Sequence, residues 1–302
     1  MIYDIVIIGG GPAGLTAALY ALRAEKTVLV IEKMGLGGQI ALSEHVENFP
    51  GTPKMSGMEF ASNLASQVET LGGEIEYETV LEIKDGNPKT VVTDFGEHQG
   101  KCVIIATGVT NRRLGIEGED GLIGRGISFC AVCDGSFYKN KVVAVIGGGN
   151  TAVEDAIYLS NIAEKVYLVH RRLEFRAESR LVRELEGKEN VELVLESVPK
   201  KFVDDGGFKG MEVVNVKTEE SRFLELDGAF VAVGQIPQSD IFKGFISLDE
   251  SGYIASGEDC RTNVEGVFVA GDCRNKTVRQ LTTAVGDGSV AALAACDYLM
   301  NK

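Results

Sequence analysis

Apolar residues in this chain gather into short, nearly unbroken runs, several of which end in glycine. Residues 3–8 form one such run, rich in β-branched side chains, and enter Gly9-Gly10-Gly11-Pro12-Ala13-Gly14. A helical stretch follows over 15–23, and 27–31 is a second strand of the buried type. The order returns later: a strand at 141–146, then Gly147-Gly148-Gly149-Asn150-Thr151-Ala152, a helical stretch to about residue 162, and a strand at 166–169. Each block reads as strand, glycine turn, helix, strand, which is the βαβ unit that binds dinucleotides. A second element also repeats. Residues 102–108 and 228–234 are apolar strands that end in a small residue and Gly, each a comparable distance after its βαβ unit. The fold class expected is α/β, with two Rossmann-like dinucleotide-binding domains, the second inserted into the first. The expected limits are 1–112 and 244–302 for the first domain and 113–243 for the second, with crossings in the polar stretches 110–117 and 238–247.

The glycine turns carry a specific chemistry. The first Gly permits the tight turn, the second lets the backbone approach a pyrophosphate, and the third small residue (Gly14 or Ala152) lets helix and strand pack closely. The helix N-terminus then offers free N–H groups and a positive dipole end to phosphate. The ends of the second strands separate the two sites. The first copy carries Glu32, placed to accept hydrogen bonds from ribose hydroxyls, which suits the unphosphorylated adenosine of FAD or NAD. The second carries His170-Arg171-Arg172, with Arg176 beyond. Clustered guanidiniums bind a 2′-phosphate through charge-assisted bonds, which suits NADPH; a plain solvated basic face is the alternative. Near the end of the chain a strand at 266–270 enters Gly271-Asp272, and an Ala-rich helix covers 281–299. Asp272 there could bond flavin ribityl hydroxyls, or serve only as a turn or cap aspartate.

Composition narrows the setting. The 302 residues suffice for two modest domains. Gly is abundant at 37 and Pro scarce at 6, which fits many strand-to-helix turns rather than a disordered chain. The formal net charge of −14 argues against nucleic acid as the main partner. No run of apolar residues is long enough to suggest a membrane span, and the opening Met1-Ile2-Tyr3-Asp4 lacks the basic start of a secretory signal, so a cytoplasmic protein is expected.

Of the 6 cysteines, Cys102, Cys260, Cys273 and Cys296 stand alone, and Cys130 and Cys133 form the one close pair, in Phe129-Cys130-Ala131-Val132-Cys133-Asp134-Gly135. In a reducing cytosol such a pair reads as redox or metal chemistry before it reads as a structural staple. Half of a zinc site and an inert buried pair are the alternatives; zinc needs further ligands, and His45, His98 and His170 are the only histidines. No metal is expected.

The order GGGPAG, CAVCDG, GGGNTAVE, HRRLEFR and GDCRNKTVRQL resembles the low-molecular-weight, bacterial-type NADPH-dependent thioredoxin reductases, over essentially the whole chain. The resemblance implies an FAD domain built from both ends of the chain, an inserted NADPH domain carrying the dithiol, and a homodimer. Carried over by position, Gly9, Gly11 and Gly14 hold the FAD pyrophosphate and Glu32 its ribose. Gly38, Gln39, Asn48, Asp272, Arg279 and Gln280 match flavin contacts. Pro12, Ala13, Lys33, Ala106, Thr107, Gly108, Gly271 and Leu281 complete that candidate set. Gly147, Gly149, Ala152, Arg171, Arg172 and Arg176 match the NADPH motifs, with Asn150, Thr151 and His170 beside them.

The implied reaction passes hydride from NADPH to FAD and electrons on to the Cys130–Cys133 disulfide. From there they reach thioredoxin or a thioredoxin-like CxxC protein. The resemblance makes Cys133 the thiol nearer the flavin, Cys130 the one that attacks the partner, and Asp134 the acid–base group. One flavin face cannot hold nicotinamide and dithiol together, so a rotation of the inserted domain about the two crossings is expected. Cys273, where a plain apolar residue is expected, reads as a buried small hydrophobe or a thiol beside the flavin. The rival readings are a related flavin-dependent dithiol oxidoreductase using ferredoxin or another electron donor or acceptor, a flavin-binding redox sensor without turnover, and a zinc-bound interaction module.

Overall fold

The computed structural model describes residues 1–301. The chain separates into two compact units, one made of residues 1–110 together with the chain from 236 on, the other of residues 111–235. Each has its own sheet built around parallel strands and its own buried core. The glycine turns fall where the apolar runs end, and the parallel strands are buried on both faces, which is why they read as continuous apolar runs.

The first unit opens with β1 (Ile2–Ile8), α1 (Pro12–Arg23) and β2 (Val28–Glu32). A short 3-10 turn at Gly38–Leu42 leads to α2 (Gly57–Thr70) and β3 (Glu74–Tyr77). Then come β4 (Val80–Lys84), β5 (Lys89–Thr93), the long β6 (Glu97–Ile105) and β7 (Val109–Asn111), which crosses into the second unit. There follow α3 (Glu119–Leu122), β8 (Ile127–Ser128), α4 (Ala131–Asp134), β9 (Val142–Ile146), α5 (Asn150–Ser160) and β10 (Lys165–Val169). After these come α6 (Ser179–Glu186), β11 (Val191–Val194), β12 (Ser197–Asp204), β13 (Phe208–Asn215), β14 (Ser221–Glu225) and β15 (Gly228–Val231). The return crossing is β16 (Gln235–Pro237), and the chain closes with β17 (Val267–Val269) and α7 (Leu281–Met300).

In the first unit the sheet runs β3-β2-β1-β6-β5-β4, with β17 also on β6. β6 is long enough to serve two neighbours on the edge away from β1: residues 97–100 pair antiparallel with β5, while 103–105 pair parallel with β17. Ile5, Val6, Ile7 and Ile8 of β1 are at most 3% exposed, and each such buried side chain contributes about 1.5–3 kcal/mol. The second unit repeats the arrangement as β11-β10-β9-β15-β8, every pair parallel, and adds the antiparallel sheet β12-β13-β14.

The two crossings, β7 and β16, pair with each other as a two-stranded ribbon. The first division falls within two residues of the expected limit, at 110/111. The second falls at 235/236, not 243/244. The stretch 238–247 is polar enough to read as a linker, yet Phe242 is fully buried and Ile246 nearly so in the core of the first unit. The Gln238 N–H donates to the Gly108 carbonyl at 3.0 Å, and the Thr107 hydroxyl donates to the Gln238 carbonyl at 2.6 Å. Among the described residues no helix is long and apolar enough to cross a membrane.

Candidate functional site

In the first unit, β1 delivers the chain to Gly9 and α1 begins at Pro12, so residues 9–14 form the turn between them. Gly14 is required by a close approach: a Cβ there would lie 1.9 Å from the Gly9 carbonyl oxygen. Gly11 differs, because a Cβ on it would meet nothing within 4 Å. Its bare backbone faces open space beside a helix N-terminus, which is the cradle a pyrophosphate requires. The Gly37 N–H donates to the Gly10 carbonyl at 2.8 Å, and Gly38 lies against Gly11. Glu32, at the end of β2, accepts the Gly10 N–H at 2.7 Å on one oxygen and the Met34 N–H at 3.0 Å on the other. These bonds fix the carboxylate and leave each oxygen a lone pair for a ribose hydroxyl. Lys33, Gln39 and Asn48 lie exposed nearby in sequence, and Asn48 reaches the Gln280 side chain at 3.5 Å.

β17 delivers Gly271 and Asp272. One Asp272 carboxylate oxygen, Oδ1, is buried with no hydrogen-bond partner among the described residues, and burial raises the proton affinity of the group. A buried orphan acceptor calls for a donor, and a ribityl hydroxyl has the chemistry to be one. Arg279 does not point outward freely. Its Nε donates to the Asp272 carbonyl at 3.3 Å, and its guanidinium lies 4.1 Å from the centre of the Tyr253 ring. Gln280 caps α7 in a reciprocal box with Thr283, and Leu281 is the first helical residue. Ala106, Thr107 and Gly108 follow β6, where the Ala106 N–H donates to the Ile8 carbonyl at 2.8 Å. These residues fit FAD.

Sequence reasoning missed what holds this turn. Asp287 of α7 accepts two bonds from the buried Arg274, at 2.8 and 2.9 Å, one from Lys276 at 2.8 Å, and the Gly271 N–H at 3.0 Å. Burial alone would push the Asp287 carboxyl up, but the hydrogen bonds from Arg274 and Lys276 hold it below the usual range. Arg274 and Lys276 lie inside the GDCRNKTVRQL motif, and an acid within an Ala-rich helix was the available signal. Cys273 is fully buried, its thiol 3.4 Å from the Ala270 carbonyl, and it packs as a small hydrophobe.

In the second unit the corresponding turn joins β9 to α5. A Cβ on Gly149 would again meet nothing within 4 Å, whereas one on Gly147 would lie 2.6 Å from the Ala152 methyl. Asn150 and Thr151 open the helix, and Asn150 exchanges bonds with Glu178, accepting its N–H at 2.9 Å. Arg171, Arg172 and Arg176 are exposed after β10, and none of them forms a salt bridge among the described residues. The Arg176 N–H donates to the Gly148 carbonyl at 2.8 Å, which ties this basic loop to the glycine turn. His170 is buried and acts as the wedge between them. Its ring would lie 2.1 Å from a Cβ on Gly148, stacks on Phe175, and approaches the Glu174 carbonyl at 3.1 Å. Burial, with the charges of Arg171, Arg172 and Arg176 added, lowers its proton affinity against the opposing Glu174 bond. Free guanidiniums beside an open glycine turn fit a phosphorylated ribose.

The same unit carries the dithiol. Cys130 and Cys133 are joined by a disulfide, with their Cα atoms 5.3 Å apart. Cys130 is the N-cap of α4, and the Cys133 N–H donates to its sulfur at 3.2 Å. Val132 between them is exposed, and both cysteines are half-buried. Asp134 accepts a bond from the Ser128 hydroxyl at 2.6 Å; Ser128, two residues before Cys130, is a second residue that the sequence reading did not single out. The other cysteines are free and buried. No group of three or more His, Cys, Asp or Glu side chains among the described residues is placed to hold a metal ion.

Known proteins place this geometry. The model of the family described as pyridine nucleotide-disulphide oxidoreductase matches residues 3–288. The chain is 41% identical over 300 residues to a thioredoxin reductase of Listeria monocytogenes, covering 99% of this chain and 94% of the relative. It is equally 41% identical to a thioredoxin reductase of Bacillus subtilis, covering 99% and 95%. The structure of a thioredoxin reductase from Streptococcus pyogenes superimposes with a TM-score of 0.96 at 39% identity, covering 100% of this chain and 99% of that one. With a match over most of its length, and with two compact units, one inserted in the other and carrying the Cys130–Cys133 disulfide, the chain belongs to the pyridine nucleotide-disulphide oxidoreductase family.

Proposed function

We propose that this protein is an NADPH-dependent flavoprotein disulfide reductase that reduces thioredoxin, or a similar CxxC protein, through Cys130 and Cys133. The observation that carries the reading is the Cys130–Cys133 disulfide, held in a unit whose glycine turn adjoins the unpaired guanidiniums of Arg171, Arg172 and Arg176. In this reading the turn at 9–14, Glu32 and Asp272 bind FAD, and the turn at 147–152 with the three arginines binds NADPH. Bound FAD supplies the two-electron exchange between NADPH and the disulfide.

The dithiol chemistry follows from the chain's own residues. Two electrons and two protons open the disulfide to a dithiol. The Cys133 N–H is aimed at the Cys130 sulfur, a donor placed to stabilise negative charge there once the disulfide opens; in this reading Cys130 is the attacking group and Asp134 the proton carrier. The net change is one NADPH and one proton consumed per partner disulfide reduced to a dithiol. A cytosolic homodimer, and a rotation of the inserted unit about the β7–β16 ribbon, belong to the same reading. Anaerobic titration with NADPH and then oxidised thioredoxin tests it, in the wild type and in Cys130→Ser. The wild type should pass electrons to thioredoxin and the variant should not; a variant that reduces thioredoxin at the wild-type rate overturns the relay.

A further inference from the structure

Ser128 ends β8, where the parallel register sets it opposite Phe230 of β15. It is 6% exposed. Its hydroxyl donates to Asp134 Oδ2 at 2.6 Å, accepts the Cys130 N–H at 3.1 Å, and stands 3.4 Å from the Cys130 carbonyl oxygen. A hydroxyl has one proton to give and two lone pairs to receive with. The distance of 2.6 Å is that of a strong bond to a carboxylate, while 3.4 Å is longer than an ordinary O–H···O bond. The proton therefore points to Asp134 when that group is ionised. When Asp134 takes up a proton the bond can reverse. Its O–H then donates to Ser128 Oγ, and the serine proton turns to the Cys130 carbonyl. The Cys130 N–H stays accepted in both states, so neither state leaves a buried polar atom unpaired.

Building on the reductase reading above, we propose that Ser128 is a positioning residue for disulfide exchange: a two-way hydrogen-bond support that keeps Asp134 in place through gain and loss of a proton and ties it to the Cys130 backbone. The exchange needs such a support. The Cys130 thiolate attacks one sulfur of the partner disulfide; the mixed disulfide forms as the partner S–S bond breaks, and a partner thiolate is released. Cys133 then gives its proton to Asp134 and attacks the Cys130 sulfur. The Cys130–Cys133 bond re-forms, the mixed disulfide breaks, and the second partner thiolate leaves. Asp134 yields the proton to a partner thiolate, and solvent, which took the Cys130 proton earlier, supplies the other. Asp134 thus begins and ends ionised, having been protonated once per cycle.

The test separates the two half-reactions of the holoenzyme. In Ser128→Ala, flavin reduction by NADPH is expected within about twofold of wild type, while reaction of the reduced enzyme with oxidised thioredoxin slows roughly 10- to 100-fold, as for loss of a bond to a charged group. In an Asp134→Asn background the same substitution should add less than about twofold. The proposal is overturned if Ser128→Ala exchanges at the wild-type rate, if both half-reactions slow alike, or if its effect persists undiminished beside Asp134→Asn. A Cys130→Ser enzyme that still reduces thioredoxin at full rate would instead sink the relay itself, whatever Ser128 does.

Discussion

Single residues in the two glycine turns divide by what a methyl group would strike. At Gly14 it would collide with backbone, so Gly14→Ala must push α1 away from β1, at a cost of about 1–3 kcal/mol, and should lower the melting temperature of flavin-free protein. At Gly11 and Gly149 it would strike nothing of the protein. In flavin-free protein Gly11→Ala and Gly149→Ala should therefore leave the melting curve unchanged, while with cofactor the first should lose visible flavin absorbance and the second should raise KM for NADPH. Normal cofactor binding in both would remove these turns from the sites. A different residue carries a pH dependence. Asp155 of α5 is pushed up to about 7 from 3.8 by burial, with the Glu154 charge adding to it. The folded state thus holds this proton more tightly than the unfolded chain, so stability falls as pH rises between those values and stays reduced above. Asp155→Asn should raise the melting temperature at pH 8 and change it little near pH 4; an equal gain at both would contradict the cause given.

Compared element by element, the two sheets hang their chemistry from the same place. β17 lies beside β6 as β8 lies beside β15, both parallel. The turn after β17 carries Asp272 and the turn after β8 carries the dithiol, although β17 comes last in its unit and β8 first. The rigid support of the first turn is the buried pair of Arg274 with Asp287. Asp287→Ala takes the buried carboxylate from Arg274 and leaves that guanidinium only the exposed Glu258 at 3.6 Å as an acidic partner, a loss of about 3–5 kcal/mol, measurable by urea unfolding, and should also weaken flavin retention. Lys276→Met, which keeps the Arg274 bonds, should cost less; equal losses would argue against the pair as the main support.

The βαβ blocks were legible in sequence because an apolar run closed by glycine has few other readings. The antiparallel strands β4, β5 and β12 to β14 were not legible, since their faces are half exposed and their apolar signal is diluted. Nor was the partnership of Asp287 with Arg274 and Lys276, which depends on how α7 packs rather than on spacing. The second crossing was misplaced because a few buried side chains, Phe242 above all, outweigh a polar neighbourhood.

At the scale of the whole molecule, charge and connection matter more than any one contact. A net charge of −14 repels an acidic partner at long range, and salt screens that repulsion. With an acidic thioredoxin, kcat/KM should rise as ionic strength is raised from a few millimolar toward physiological; a fall would reveal a local basic patch that steers docking. The paired crossings β7 and β16 mean that any turning of the inserted unit twists one ribbon rather than two independent linkers. The burial of Cys102, Cys260, Cys273 and Cys296 has a practical consequence. Cys260 in particular is pushed up to about 12 by burial and the Asp287 charge, so it is almost wholly thiol at neutral pH. A colorimetric thiol reagent added to native protein should therefore count almost nothing in the oxidised enzyme and two rapid equivalents after NADPH, the remaining four of its six sulfurs emerging only on denaturation. The protein carries its own gauge of how far the Cys130–Cys133 pair has been reduced.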